Sequence, residues 1–232
     1  MVGLYRKRRF VIIIFSLLFF SYTIFTNTPN QITSKSEVEA VTVKSSPAID
    51  ALNGLAIKGR AAKTDYSRDK FGAGWATGGG CDTRNIILNR DLTDVVVNDK
   101  CEVTSGVLND PYTGKVIAFV RGTDTSGVVQ IDHVVALSDA WQTGAQQLSS
   151  SERTNLANDP LELLAVDGPA NMQKSDGDAA TWLPSNKPFR CEYVARQVAV
   201  KQKYSLWVTS AEHDAISNIL GKCPGQLLPS PQ

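Results

Sequence analysis

Residues 130–137 read QIDHVVAL, and residues 161–176 read LELLAVDGPANMQKSD. In the first stretch a β-branched apolar run, Val128 to Ile131, ends directly in Asp132-His133, so a strand delivers a carboxylate and an imidazole to the edge of a core. A carboxylate binds hard cations and an imidazole accepts a proton near neutral pH, which makes the pair a candidate for catalysis. The plainer alternative is a core histidine held by a hydrogen bond from its neighbour. The second stretch holds a short apolar strand, Leu161 to Val166, a turn at Asp167-Gly168-Pro169, and Asn171-x-x-Lys174 opening a helix. Asn171 then falls on the first helical turn, facing back across the strand pair. Two strands and a helix so arranged converge Asp132, His133 and Asn171 on a single cation.

Around this unit the hydrophobic period changes along the chain. Ala51 to Lys58 predicts a short helix, and Thr83 to Leu92 a second one with Ile86, Ile87 and Leu88 turned inward. Val95–Val97, Cys101–Leu108 and Lys115–Arg121 read as antiparallel strands, the last two joined by the tight connection Asp110-Pro111-Tyr112-Thr113-Gly114. The second half is helical, with predicted helices at Ser138–Gln147, Ser150–Asn155, Asp178–Leu183, Phe189–Tyr204 and Ser210–Leu220. The run Gly78-Gly79-Gly80 is a turn rather than a phosphate cradle, because no strand precedes it and no Lys-Ser/Thr follows it.

The chain has 232 residues, 42% of them apolar and 20% charged, which fits one packed domain and disfavours wholesale disorder, collagen and coiled coil. Arg6, Lys7, Arg8 and Arg9 precede an uncharged run, Phe10 to Phe25, in the order of a secretory signal. That run is shorter than the roughly 20 residues a membrane span needs, and retention as a signal anchor is the alternative. The expected organisation is a signal peptide or anchor over 1–26, a linker or propeptide over 27–48, the folded domain over 49–224 and a tail over 225–232. Export removes four cations and no acid, taking Lys plus Arg from 24 to 20 against 23 Asp plus Glu, a net of about −3. Cys81, Cys101, Cys191 and Cys223 contain no CxxC pair and fit two disulfides in an oxidising compartment. Of the three connectivities, Cys81–Cys101 with Cys191–Cys223 is preferred, since each bridge joins elements near in the chain.

Taken together, Asp132-His133, Asn171-x-x-Lys174, Trp182 and the upstream Gly80-Cys81-Asp82-Thr83-Arg84-Asn85 resemble the HNH endonucleases. More narrowly they resemble exported proteins related to the C-terminal domain of GmrSD restriction endonucleases, over roughly residues 65–223. The resemblance implies an α+β fold with a ββα-metal core of antiparallel strands and surrounding helices. It implies a metal-dependent endonuclease that hydrolyses phosphodiester bonds of nucleic acid, with DNA favoured. By the same resemblance His133 is the general base, and Asp132 and Asn171 ligate a divalent cation, Mg²⁺ foremost and Mn²⁺ next. Lys174 and Arg84 are the candidate phosphate contacts, each with a structural alternative, a helix-surface lysine and an arginine paired locally. The sequence departs from the family pattern at Ala136, where a proline is common, and at Glu162, where an asparagine is common. The orienting role of that asparagine falls to Glu162, or to Asn158, or is absent.

His213 reads as a surface or capping residue, and Trp75, Trp141, Trp182 and Trp207 as core anchors. Serine hydrolase and zinc peptidase chemistry is disfavoured, for neither a GxSxG elbow nor an HExxH helix occurs. The competing class is a non-catalytic secreted or cell-surface binding module whose Asp-His pair is structural. No stable protein partner is indicated, and a membrane is a partner only if the N-terminal segment stays as an anchor.

Overall fold

The computed structural model describes residues 47–229. The expected signal segment, 1–26, and the linker up to residue 46 lie outside the described residues.

The fold is mixed α+β, and every sheet is small and antiparallel. Helix α1 (Ala48–Asn53) precedes the two-residue strands β1 (Thr77–Gly78) and β2 (Cys81–Asp82). Helix α2 (Thr83–Asp91) starts where the Asp82 side chain accepts the Asn85 N–H at 2.7 Å, capping the first turn. It buries Ile87 and Leu88, whereas Ile86, expected inside, is 41% exposed. Strands β3 (Leu92–Val97), β4 (Val103–Asn109) and β5 (Val116–Val120) form a three-stranded sheet in that order. Disulfides join Cys81 to Cys101 and Cys191 to Cys223, the preferred pairing. Loops of 20 and 32 residues closed this way are each worth about 3–4 kcal/mol in the chain-entropy account.

Strand β6 (Val129–His133) pairs with β7 (Leu163–Asp167), although 29 residues separate them. That insertion holds α3 (Leu137–Gln142) and α4 (Ser150–Ala157). Register places Val129 opposite Asp167, Asp132 opposite Leu164 and His133 opposite Leu163. All of β7 is buried because apolar clusters lie on both of its faces. Val129, Ile131, Leu163 and Ala165 join the cluster of α2 and the three-stranded sheet, while Leu164 and Val166 join the larger helical core. The two-residue alternation of a strand therefore sends Asp132 and His133 to opposite faces of the same hairpin.

Helix α5 (Gly168–Lys174) follows β7 without the expected turn. Asp167 caps it by accepting the Ala170 N–H at 2.8 Å, and Pro169 sits in the first turn, where its missing N–H costs nothing. The core helix α6 (Arg190–Lys203) is buried continuously from Tyr193 to Lys201, and α7 (Ser210–Leu220) packs beside it. The cap of α7 is Thr209, in a reciprocal box with Glu212.

Three expected helices differ, the one expected over 51–58 lying instead at Ala48–Asn53. The one predicted over 138–147 stops at Gln142, and Gly144 takes φ 132°, which resets the chain into a short 3₁₀ turn at Ala145–Gln147. Residues 178–183 form turns, because Asp178 Oδ1 accepts the N–H groups of Ala180 and Thr181 at 3.0 and 3.1 Å in place of helical carbonyls. Residues expected to form a tail from 225 are stitched to the start of the domain, with the Ala48 N–H donating to the Gln226 carbonyl at 2.9 Å. Among the described residues no helix is long and apolar enough to cross a membrane.

Candidate active site

His133 ends β6 and is buried, yet it lines a cleft of about 370 Å³. Its Nε2 lies 3.0 Å from the Ala157 carbonyl oxygen at the end of α4. A carbonyl only accepts, so Nε2 carries the hydrogen, and Nδ1 keeps the lone pair. The ring stacks on Trp75, centroids 5.7 Å apart and planes within 6°. Burial pushes the imidazole pKa down to about 3, with the nearby charges of Arg68 and Lys174 adding to the effect against the Ala157 carbonyl. His133 is therefore a neutral base of fixed tautomer and fixed ring plane.

Asp132, on the other face, is buried with both oxygens in use. The Lys174 ammonium lies 2.9 Å from Oδ1, and the Tyr112 hydroxyl donates to Oδ2. Burial raises the Asp132 pKa, against the pull of Lys174 and Tyr112. Lys174 also donates to the His133 carbonyl at 2.8 Å and is fully buried, so it is not a surface lysine, and it does not line the cleft. The chain places it there because residue 174 is the last of α5, the helix that packs on both strands. Asn171, one turn earlier, donates through Nδ2 to Gln130 Oε1 at 2.9 Å, which sets its amide so that Oδ1 remains an acceptor. Asp132, His133 and Asn171 all line the same cleft.

The remaining predicted residues fall elsewhere. Arg84 is half-buried and donates to the Val129 carbonyl at 3.2 Å, at the opposite end of β6 from His133. Burial and neighbouring Arg121 lower its pKa. It holds the hairpin and does not line the cleft. Glu162 is fully buried and touches the backbone beyond the histidine rather than its ring: its Oε2 accepts the Val135 N–H at 3.2 Å, and its carbonyl accepts that of Val134 at 2.9 Å. Burial drives its pKa well above the ordinary carboxylate range. Asn158 acts one step further out, since its Oδ1 accepts the Ala76 N–H at 2.8 Å and so anchors the loop whose Trp75 stacks on His133. His213 lies on α7, 3.7 Å from Asp214, outside the cleft.

Three contributors were missed from sequence. Tyr112 belongs to the tight turn between β4 and β5, and that turn also inserts into the site: Asp110 Oδ1 accepts the Asp167 N–H at 2.8 Å while Tyr112 reaches Asp132. Lys63 and Arg68 come from the irregular segment before β1 and line the cleft wall. Their only signal was a local excess of cations between Lys58 and Lys70. Trp75, expected as a core anchor, packs against the core of α2 and the three-stranded sheet and is also the ring beside the histidine.

Among the described residues no three His, Cys, Asp or Glu side chains converge as a metal cage. Among the donors that line the cleft, the Asp132 carboxylate and the Asn171 amide oxygen are hard oxygens. They suit a cation that keeps most of its water and takes few protein ligands, as Mg²⁺ does.

The family model of the C-terminal domain of GmrSD restriction endonucleases matches residues 82–219. An "Uncharacterized secreted protein" of Arthroderma benhamiae is 38% identical over 180 residues, covering 77% of this chain and 85% of that protein. No solved structure matches.

Proposed function

The chain belongs to the family of GmrSD restriction endonuclease C-terminal domains, and from that premise and the geometry of the cleft we propose an exported endonuclease that hydrolyses phosphodiester bonds of nucleic acid, DNA foremost. The observation that carries this reading is His133: neutral, tied through Nε2 to the Ala157 carbonyl, and left with Nδ1 as a base in a cleft shared with Asp132 and Asn171. In the proposed reaction Nδ1 takes a proton from water as the water oxygen bonds to phosphorus and the P–O3′ bond breaks. Trp75 and the Ala157 carbonyl hold the ring in one orientation, so no freedom is lost at the moment of transfer. The low pKa keeps the base unprotonated across the pH range of ordinary media, and the attacking water becomes more acidic as it bonds to phosphorus. Asp132 and Asn171 would hold a divalent cation, Mg²⁺ or Mn²⁺, which when bound stabilises charge on the phosphate and leaving oxygens. Export is supported by the basic and apolar start of the sequence and by the name of the A. benhamiae relative.

One observation favours a second reading. Both Asp132 oxygens already accept hydrogen bonds, as they would in a non-catalytic binding module with a structural Asp-His pair. The purified exported protein, incubated with plasmid DNA and Mg²⁺, Mn²⁺ or EDTA, separates the two. We expect nicking with metal, none in EDTA, and a loss of about 10²–10⁴-fold in His133→Ala. A well-folded sample that leaves plasmid intact under every metal sinks the nuclease.

A further inference from the structure

Two cations line the cleft, and one of them is neutralised. Lys63 is paired with Asp176 at 3.2 Å. Arg68 lines the same cleft, is exposed, and has no hydrogen-bond or ion-pair partner among the described residues. It also lines the smaller notch, about 120 Å³, that adjoins His133 on the side of Trp75 and Ala157.

Its backbone, by contrast, is firmly held. Arg68 opens a single 3₁₀ turn, Arg68–Phe71. Phe71 is buried, with ring centroids 6.4 Å from Tyr66 and 6.3 Å from Trp141. Arg153 Nε donates to the Lys70 carbonyl at 2.9 Å. Gly72, at φ 108°, brings the chain so close to α4 that a Cβ there would meet Thr154 at 3.3 Å. A charged fork on an anchored turn, with no internal anion, is arranged to receive one from outside.

We propose that Arg68 contacts the phosphate of the bound nucleic acid in this cleft, and that it supplies the substrate attraction which the acidic mature chain as a whole does not. The inference rests on the nuclease reading and deepens it, moving the phosphate contact from Lys174 and Arg84 to a residue outside the family-matched span of 82–219. The guanidinium donates two N–H groups to non-bridging oxygens, and no covalent step passes through it.

The test uses binding and cleavage separately. In a His133→Ala background, in which cutting is expected to be about 10²–10⁴-fold slower, anisotropy of a fluorescent duplex oligonucleotide in Mg²⁺ is followed against salt. Arg68→Gln should weaken binding about tenfold at 0.1 M salt and lower the slope of log K against log salt by about 0.9, the loss of one phosphate contact. Lys70→Gln removes an equal charge from the same turn but does not line the cleft, and it should leave the slope nearly unchanged. With His133 intact, Arg68→Gln should lower kcat/KM at least tenfold, and Arg68→Lys should recover part of it. Unchanged binding and slope in Arg68→Gln, or equal effects of the two glutamine variants, overturns the role of Arg68 even if the wild type cuts DNA. Absence of cutting by the wild type overturns the nuclease, while the anisotropy arm still decides Arg68.

Discussion

Lys174 and Lys201 are both fully buried, and they are buried in different company. Lys174 faces one carboxylate, Asp132, and one carbonyl, that of His133, behind these two cleft-lining residues. Lys201 lies within the helical core, 3.2 Å from Asp139 and 2.8 Å from Glu212. There Arg60 adds a second cation, 2.9 Å from Asp139 and 2.7 Å from Asp178. The Lys174 pair is balanced, one charge against one, whereas the core network sets two cations against three carboxylates. The surplus appears at Glu212, whose pKa burial pushes up to about 7 despite Lys201. A matched pair ties α5 to β6. An overloaded network ties α3, α6, α7 and the segment at Arg60 together and takes up a proton.

The largest expected effects follow from removing each lysine. Truncating one partner of a buried pair leaves an uncompensated charge and costs about 3–5 kcal/mol. Lys201→Met strands two carboxylates, one of them still touched by Arg60, and should fall at the upper end of that range. Lys174→Met strands one, still held by the Tyr112 hydroxyl, and should fall at the lower end. Guanidinium unfolding of both variants at pH 7 ranks them; the reverse order would break the contrast between a matched pair and an overloaded network.

Next in size is the dependence of stability on pH, where the two regions pull in opposite directions. Glu212 has a folded pKa raised from 4.5 to about 7, so between those values the folded state holds a proton that the unfolded state has released. Stability from this group therefore falls as pH rises through that window. His133 has a folded pKa lowered from 6.5 to about 3, so below 6.5 the unfolded state takes a proton that the folded state refuses. Stability from this group falls as pH falls. Thermal unfolding in metal-free buffer from pH 4 to 8 should flatten on its upper side in Glu212→Gln and on its acid side in His133→Asn. A single flattening shared by both variants would show that the regions titrate as one unit.

The contrast also marks what the sequence discloses. The ββα core was legible because its signals are local: a β-branched run ending in Asp132-His133, and a capped helix opening three residues before Asn171. The disulfides were legible from loop length. What escaped is the company each side chain keeps across long separations. Lys174 lies 42 positions from Asp132, and Tyr112 lies 20 positions before it in a turn whose composition announces only a turn. Nothing in a helical period distinguishes Lys174, expected at the surface, from Lys201. Both sit in helices where burial is decided by carboxylates elsewhere in the chain. Asp178 misled in the opposite way, since its side chain satisfies the N–H groups that a helix would have used.

The smallest expected effect concerns the link between the two regions. Ala136 stands three residues after His133 and three before Asp139, and it holds φ −50° and ψ 135°. Those angles lie within the range that a pyrrolidine ring imposes, and the Ala136 N–H makes no hydrogen bond among the described residues. Ala136→Pro should therefore stabilise by about 0.4–1 kcal/mol, through the freedom it removes from the unfolded chain, and raise Tm by about 1–4 °C. It should do so without altering either pH limb, because the substitution touches neither His133 nor Glu212. A fall in Tm would mean that the bend at Val134-Val135 depends on a backbone freedom that proline denies to the residue before it. The charge balance of each region would then rest on the conformation of the link as well as on its own partners.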